Sequence, residues 1–320
     1  VIAFAAGSEL YLKDLRSRYR SIFFVTSGLV LVTYVSGTSV VFFLSDLIPF
    51  MKGLPASTRL AIAMMAGAIM VARSPSSAIA IVNELRARGP YTKTALGVTV
   101  VMDVVVITLF AISSAIALAL IKTGGIDPIF ALTLGIELVV PIVAGIALGK
   151  LLGLLMRLRL HERPKTLLVL GAGFAVYPAC RAFRGVTHDL IGHEVILEPL
   201  LICMIGGFVV AYYSRFRDEF LELLHIVGPA VYVAFFTLTG ASLALDTLVV
   251  VWPITLTLFG VRLTAIAVGS YAGGRIAGDP PKHSRMGWMA YITQAGVGLG
   301  LAKQVAVTYP VFGDQFATLI

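Results

Sequence analysis

Apolar residues occupy long continuous blocks along this chain, and short segments that carry most of the charges separate the blocks. A helix that crosses a bilayer needs ~20 consecutive apolar residues, whereas the strands of a membrane β-barrel alternate apolar and polar residues over ~10 positions. The continuous blocks therefore predict an all-α polytopic membrane protein with about ten full spans. The predicted helices cover residues 21–44, 60–82, 94–121, 129–156, 166–182, 196–214, 223–241, 248–274 and 287–308, with partial helices at 1–12 and after 310.

The composition agrees with this interpretation, because 58% of the residues are apolar and only 13% are charged. A soluble domain carries roughly a quarter charged residues, so a soluble globule is excluded. The formal net charge of +8 does not indicate a nucleic-acid partner. Such a partner requires a clustered basic face, and here the basic residues lie between apolar blocks.

The loops carry Lys and Arg unequally. Counted from the first loop, alternate loops hold sixteen basic residues and the intervening loops hold five. Cytoplasmic loops concentrate Lys and Arg, so the alternation supports the helix assignment and defines a basic side. The chain begins at Val1 and ends at Ile320 inside apolar stretches, and we expect residues 1–320 to be one transmembrane domain truncated at both ends.

Two copies of one short pattern indicate an internal repeat. Gly7 and Gly240 each begin the pattern Gly-x-x-Leu-x-Leu-x-x-Leu. By the loop assignment, the first copy leads to the basic side and the second leads to the opposite side. An inverted repeat of this kind is a frequent plan of secondary transporters.

This plan predicts one interrupted helix in each half, two helices after each copy of the pattern. Residues 72–78 place a proline and three serines in mid-span, and residues 293–300 hold three glycines. Proline removes a backbone donor and glycine weakens a helix, so freed carbonyls and helix termini could coordinate a small ion at the membrane midplane. The alternative is that these small residues only permit close helix packing.

Three charges lie deep inside the predicted spans, where ionisable residues are costly and mark function. Asp103 is the only charged residue between Lys93 and Lys122. Its carboxylate can hold either a proton or a monovalent cation, which is sufficient for coupled exchange; the alternative is a structural aspartate held by a buried arginine. Arg73 and Arg262 could pair with Asp103 or neutralise helix C-termini that point into the membrane.

These residues resemble the monovalent cation:proton antiporter superfamily, and more closely its second family, which includes sodium/proton exchangers and potassium-efflux antiporters. The resemblance covers nearly the whole chain. It rests on four motifs: Gly7-Ser-Glu-Leu-Tyr-Leu12, Ser76-Ser-Ala-Ile-Ala80, Asp103, and Thr293-Gln-Ala-Gly296.

The resemblance implies an inverted-repeat antiporter fold with two crossed discontinuous helices and a separate dimerisation domain, and therefore a homodimer. The core elements would be residues 60–121 and 248–308. Asp103 matches the aspartate that carries the ion and the proton, and Arg262 matches a supporting basic residue, with Arg73 as a second supporting charge. The hydroxyls of Ser74, Ser76 and Ser77, the side chain of Gln294 and backbone carbonyls would complete the ion site.

The resemblance thus implies exchange of Na⁺ or K⁺ for H⁺, and a single aspartate fits electroneutral one-for-one exchange. The sequence also departs from the family pattern at Met102, Val297 and Arg73. Two other functions stay open: a sodium-coupled organic-anion symporter, indicated by two arginines against one aspartate, and a non-transporting membrane sensor, indicated by the departures. No nucleophile–base motif and no metal-ligand spacing is visible, so we expect neither an enzyme nor a cofactor.

Overall fold

The computed structural model describes most of the chain as helices. The described residues are 1–8, 16–73, 78, 81–82, 85–122, 128–158, 161–191, 197–241, 245–294, 296–309 and 311–320, and no β-strand occurs among them. The prediction of an all-α chain is confirmed.

Twelve α-helices lie in this part of the chain, together with three short 3₁₀ segments at Arg16–Arg18, Pro49–Met51 and Gly287–Tyr291. In chain order the helices are α1 (Ile2–Ser8), α2 (Tyr19–Phe43), α3 (Ala56–Met70), α4 (Pro90–Lys122), α5 (Pro128–Met156), α6 (Glu162–Ile191), α7 (Pro199–Tyr213), α8 (Arg217–Ala241), α9 (Leu245–Ala277), α10 (Pro281–Met286), α11 (Gly296–Thr308) and α12 (Gly313–Leu319).

Several helices begin at a proline. Pro90, Pro128, Pro199 and Pro281 are the first residues of α4, α5, α7 and α10. Proline suits this position because the first backbone N–H groups of a helix have no partner within the helix. For this reason α4 begins before residue 94, where the apolar pattern places its start.

The helix α6 is longer than the predicted span at residues 166–182 and ends at Ile191. Arg181 and Arg184 are two of the five basic residues counted in the intervening loops. Both lie inside this helix, so their assignment to a loop is wrong. Long basic side chains can reach water from a helix, and Arg181 is exposed.

Five of the described helices are long and apolar enough to cross a membrane. These are Tyr19–Phe43, Pro90–Ile121, Val139–Met156, Arg163–Thr187 and Val251–Ala277, and shorter apolar helices cover Ala56–Met70, Pro199–Tyr213 and Val297–Thr308. The chain is therefore polytopic, while the figure of about ten full spans stays a prediction.

The chain divides into two compact units. Unit 1 comprises residues 1–11 and 125–236, and unit 2 comprises residues 12–124 and 237–320. Both predicted core elements belong to unit 2.

Unit 1 packs around α7, which contacts α1, α5 and α6. The contact with α1 is a close backbone approach, since a methyl group added at Gly207 would meet the backbone of Phe4, and one added at Gly7 would meet that of Met204. Small residues at such crossings allow membrane helices to approach closely.

Unit 2 is built on the pair α2 and α9, which follow the two copies of the repeated pattern. Gly28 faces Gly269 across this crossing, and a methyl group at Gly269 would lie 2.5 Å from the carbonyl oxygen of Gly28. The helix α3 packs against α2 and α4, and α4 also contacts α11. The helix α4, which carries Asp103, therefore contacts both α3 and α11, the helices next to the two predicted interruptions.

Candidate functional site

Both predicted helix interruptions are present in unit 2. The helix α3 ends at Met70, and Ala72 and Arg73 are not helical. In the other half, the 3₁₀ segment ends at Tyr291, residues 292–294 are not helical, and α11 begins at Gly296. The prediction of two discontinuous helices is confirmed.

The two interruptions are in contact. The Gln294 Nε2 atom donates a hydrogen bond to the carbonyl oxygen of Ile69 at 3.4 Å. A methyl group added at Gly298 would lie 3.2 Å from the Cβ atom of Ala72. Glycine at the start of α11 therefore allows the second interruption to approach the first.

Arg262, in the middle of α9, joins the ends of both interrupted helices. Its Nε atom donates to the carbonyl of Met70 at 3.1 Å and its Nη2 atom donates to that of Ala72 at 3.0 Å. Its Nη1 atom donates to the carbonyl of Ile292 at 2.9 Å. Helix C-termini carry partial negative charge and unpaired carbonyls, so this guanidinium neutralises the end of α3 and the end of the 3₁₀ segment at Gly287–Tyr291.

Arg73 binds the same end of α3. Its Nη1 atom donates to the carbonyls of Met70 at 3.0 Å and Ala72 at 2.8 Å, and its Nη2 atom donates to Thr33 Oγ1 at 3.4 Å. Its Nε atom has no hydrogen-bond partner in the part of the chain that the structure describes. The sequence leaves open whether the arginines pair with Asp103 or neutralise helix C-termini. The hydrogen bonds of both arginines match the second arrangement.

The two arginines change the expectation about the ion ligands. A carbonyl oxygen has two lone pairs, and the carbonyls of Met70 and Ala72 each accept one hydrogen bond from Arg73 and one from Arg262. In this conformation neither carbonyl is free to coordinate a cation. These two carbonyls bind the arginines, and the predicted contribution of other backbone carbonyls to the ion site stays a prediction.

Asp103 lies in the interior of α4 and is 2% exposed. The adjacent Met102 is fully buried, and Val297 is buried at the start of α11. Burial disfavours the ionised form of a carboxyl group, and the role of Asp103 as the carrier of a proton or a cation stays a prediction.

The other predicted ion ligands are only partly described. Ser74, Ser76 and Ser77 lie outside the described residues. Gln294 is described and exposed, and because its Nε2 atom faces Ile69, its Oε1 atom can accept a ligand. Among the described residues, no group of three or more His, Cys, Asp and Glu side chains lies close enough to hold a resident metal ion.

One residue of this region has no clear signal in the sequence. Thr33 is fully buried in α2 and accepts the hydrogen bond from Arg73. A single threonine in an apolar span is common, because its hydroxyl can bond to the preceding turn of its own helix. Only the crossing of α2 and α3 marks Thr33 as a partner of Arg73.

One protein-family model matches nearly the whole chain. Residues 1–310 match the family model described as "Sodium/hydrogen exchanger, transmembrane". Comparison with curated proteins gives no match.

The fold is similar to solved structures of the sodium proton antiporter MjNhaP1 from Methanocaldococcus jannaschii. The structure at pH 8 is 16% identical over 99% of this chain and 77% of that chain, with a TM-score of 0.70. An electron-microscopy map of the same antiporter is matched at 15% identity over 100% of this chain and 76% of that chain, with a TM-score of 0.63. At this level of identity the likeness concerns the fold, and it confirms the predicted inverted-repeat antiporter architecture.

Proposed function

Because the chain belongs to the transmembrane sodium/hydrogen exchanger family, we propose that it exchanges a monovalent cation, Na⁺ or K⁺, for H⁺ with Asp103 as the shared carrier. The family supports cation/proton antiport and a transporter rather than an enzyme. The observation that carries the finer proposal is the buried carboxylate of Asp103, on a helix that contacts both interrupted helices.

The exchange rests on competition for one carboxylate. A proton and a desolvated cation each neutralise the Asp103 anion, and they do not bind it together. When the protein moves between its two orientations, the neutralised carboxylate crosses more readily than the anion, because moving a charge through an apolar medium is costly. Each full cycle therefore moves one cation against one proton.

The charges around the interruptions are the same in both loaded forms. The two guanidinium groups bind backbone carbonyls at the helix ends, which carry partial negative charge. A bound proton and a bound monovalent cation then add the same single charge. The loaded forms are electrically equivalent, as electroneutral exchange requires.

We further propose that the Gln294 Oε1 atom and the hydroxyls of Ser74, Ser76 and Ser77 supply the remaining oxygen ligands. Carboxylate, amide and hydroxyl oxygens suit a hard cation, whereas the thioether of Met102 does not. Na⁺ is the first candidate, since the structurally similar MjNhaP1 is a sodium proton antiporter; K⁺ is the second. A homodimer in the bilayer is the proposed assembly.

The proposal is tested with the purified protein in proteoliposomes that contain a pH-sensitive dye. We expect Na⁺ or K⁺ gradients to drive proton movement, and choline gradients to drive none. Asp103→Asn should reduce the flux to that of protein-free vesicles, because the amide neither takes up a proton nor neutralises a cation. Asp103→Glu, which keeps the carboxylate, should retain part of the flux.

Two outcomes would overturn the proposal. Full exchange by Asp103→Asn would remove Asp103 as the carrier. A folded wild-type protein without flux for any cation would favour the sensor function instead. The symporter function receives no support from the arginines, because both guanidinium groups bind backbone carbonyls at the helix ends.

A further inference from the structure

Three segments distant in sequence bring exposed basic side chains to one end of unit 2. We call this set the basic ring. It comprises Arg20, Arg88, Lys93, Arg275, Lys282 and Arg285, all of which are exposed. It lies on the basic side, where α2 and α4 begin and α9 ends.

A buried polar cluster holds the three segments together. The Arg18 Nη2 atom donates to Asp279 Oδ1 at 2.6 Å, and its Nε atom donates to Thr94 Oγ1 at 3.1 Å. The hydroxyl of Ser21 also donates to Asp279 Oδ1, at 2.8 Å. Asp279 is 9% exposed, so this carboxylate ties the start of α2 to the end of α9.

Aromatic contacts join α10 to the same cluster. The rings of Tyr91 and His283 lie 5.3 Å apart, and the Tyr91 hydroxyl donates to the carbonyl of Gly287 at 3.3 Å. These contacts hold α10 next to the cluster, with Ser284 buried and Lys282 and Arg285 exposed.

The charge of this end is strongly unbalanced. Residues 13–20, 84–93 and 275–285 contain ten Lys and Arg but three Asp and Glu. The segments of unit 1 that the loop count assigns to the basic side, residues 157–165 and 215–222, contain six Lys and Arg and four Asp and Glu. There, Lys165 pairs with Glu219 and Arg217 pairs with Asp218. The excess of positive charge is thus a property of unit 2 and not of the whole basic side.

Exposed apolar side chains stand next to the ring. Tyr19 is 70% exposed, Ile276 is 60% exposed and Met286 is 52% exposed. Tyr19 and Ile276 neighbour Arg20 and Arg275 at the ends of helices long enough to cross a membrane, and Met286 follows Arg285 at the end of the short helix α10. An aromatic and aliphatic border beside basic residues is typical of the boundary between acyl chains and headgroups.

We propose that the basic ring binds the headgroups of anionic phospholipids on this side of the membrane. Clusters of Lys and Arg next to membrane helices attract anionic lipids, and the apolar border would contact the acyl chains of the same lipids. A soluble acidic protein would leave that border without a partner. Bound lipid would hold the three segments together and so stabilise unit 2, whichever cation is transported.

The test compares thermal unfolding in nanodiscs of phosphatidylcholine alone with nanodiscs that also contain phosphatidylglycerol. The ring variant is Arg20→Gln/Lys282→Gln/Arg285→Gln, and the matched control in unit 1 is Arg157→Gln/Arg163→Gln/Arg215→Gln. We expect phosphatidylglycerol to raise the unfolding midpoint of the wild type and of the control by several degrees, and to leave the ring variant unchanged. High salt should reduce the shift, because it screens charges.

A ring variant with the same lipid-dependent shift as the wild type would overturn the proposal, as would a loss of the shift in both triple variants. Phosphatidylcholine nanodiscs establish that each variant is folded. A separate arm adds inorganic phosphate in place of phosphatidylglycerol. An equal shift with phosphate would overturn the assignment to lipid, since it would show a site for free anions.

Discussion

The two units of this protein bury charged groups in different places, apart from Asp279, which unit 2 buries just after the end of a helix. In unit 2, Arg73, Asp103 and Arg262 are buried at helix interruptions or in the middle of long helices. In unit 1, Lys165 lies in the first turn of α6 and Glu198 precedes the first residue of α7. Charges at helix ends can be stabilised by water, by lipid headgroups or by the helix dipole. Charges in the middle of long apolar helices need a specific reason, and for this reason we propose the ion site in unit 2.

The largest expected difference between the units concerns transport. Asp103→Asn should abolish proton-coupled cation flux, whereas Glu198→Gln, the matched change of a buried carboxylate in unit 1, should leave the flux close to that of the wild type. Dye-based flux in proteoliposomes measures both. Loss of flux in Glu198→Gln alone would move the ion site to unit 1.

The next effect concerns stability. Arg262→Met should lower the free energy of unfolding by about 2–3 kcal/mol, because the carbonyl of Ile292 loses its charged donor and a buried acceptor is costly to leave unpaired. Lys165→Met in unit 1 should cost less, about 1–2 kcal/mol, because it removes one hydrogen bond to the carbonyl of Met156 and a pair with Glu219, which is 38% exposed and can be hydrated. Thermal unfolding in detergent measures how much stability each variant loses.

Arg73→Met provides the control within unit 2. It leaves the carbonyls of Met70 and Ala72 bonded to Arg262, so we expect a smaller loss than in Arg262→Met. A larger loss in Arg73→Met would mean that Arg73, and not Arg262, is the principal partner of the helix ends.

A third comparison concerns helix packing. Gly269→Ala places a methyl group 2.5 Å from the carbonyl oxygen of Gly28, and overpacking of this kind costs about 1–3 kcal/mol. Gly171→Ala in α6 of unit 1 meets no atom within 4 Å, and it should be neutral or stabilising because alanine favours helices more than glycine does. Unfolding midpoints check the difference, and equal midpoints would contradict the close crossing of α2 and α9.

The smallest expected effect compares two ion pairs. Asp279→Asn weakens the hydrogen bonds from Arg18 and Ser21 and should cost about 1–2 kcal/mol. Asp218→Asn in unit 1 should have no measurable effect, because the Asp218 side chain is 93% exposed and its pair with Arg217 is hydrated. The same unfolding assay applies. If the two variants unfold alike, Asp279 does not hold the three segments of the basic ring together.

The sequence alone predicted much of the candidate site. The proline and serines at residues 72–78 and the glycines at residues 293–300 mark the two interruptions, because these residues weaken helices wherever they occur. Asp103 and Arg262 were identified because a charge in an apolar span is costly and therefore informative. Each of these signals is local, so it can be read from the neighbouring residues.

The partners of these residues could not be predicted in the same way. Arg262 binds carbonyls about 190 positions away in the chain, and a backbone carbonyl has no signature in the sequence. The sequence predicted that freed carbonyls of the interrupted helices coordinate the ion, but it gave no sign that those of Met70 and Ala72 accept hydrogen bonds from the two arginines. Which donors reach a helix end depends on how α3 and α9 cross, and that is decided by packing.

The sequence by itself determined that the chain spans a membrane, which side is basic, where the two helices are interrupted and which carboxylate is buried. These properties follow from local composition and from the cost of burying charge. Only the tertiary structure decided that one arginine serves both interrupted helices and that residues 16–20, 85–93 and 275–285 form one basic ring. The physical reason is that such contacts join segments far apart in the chain, and the close crossing of α2 and α9 at small residues sets their positions.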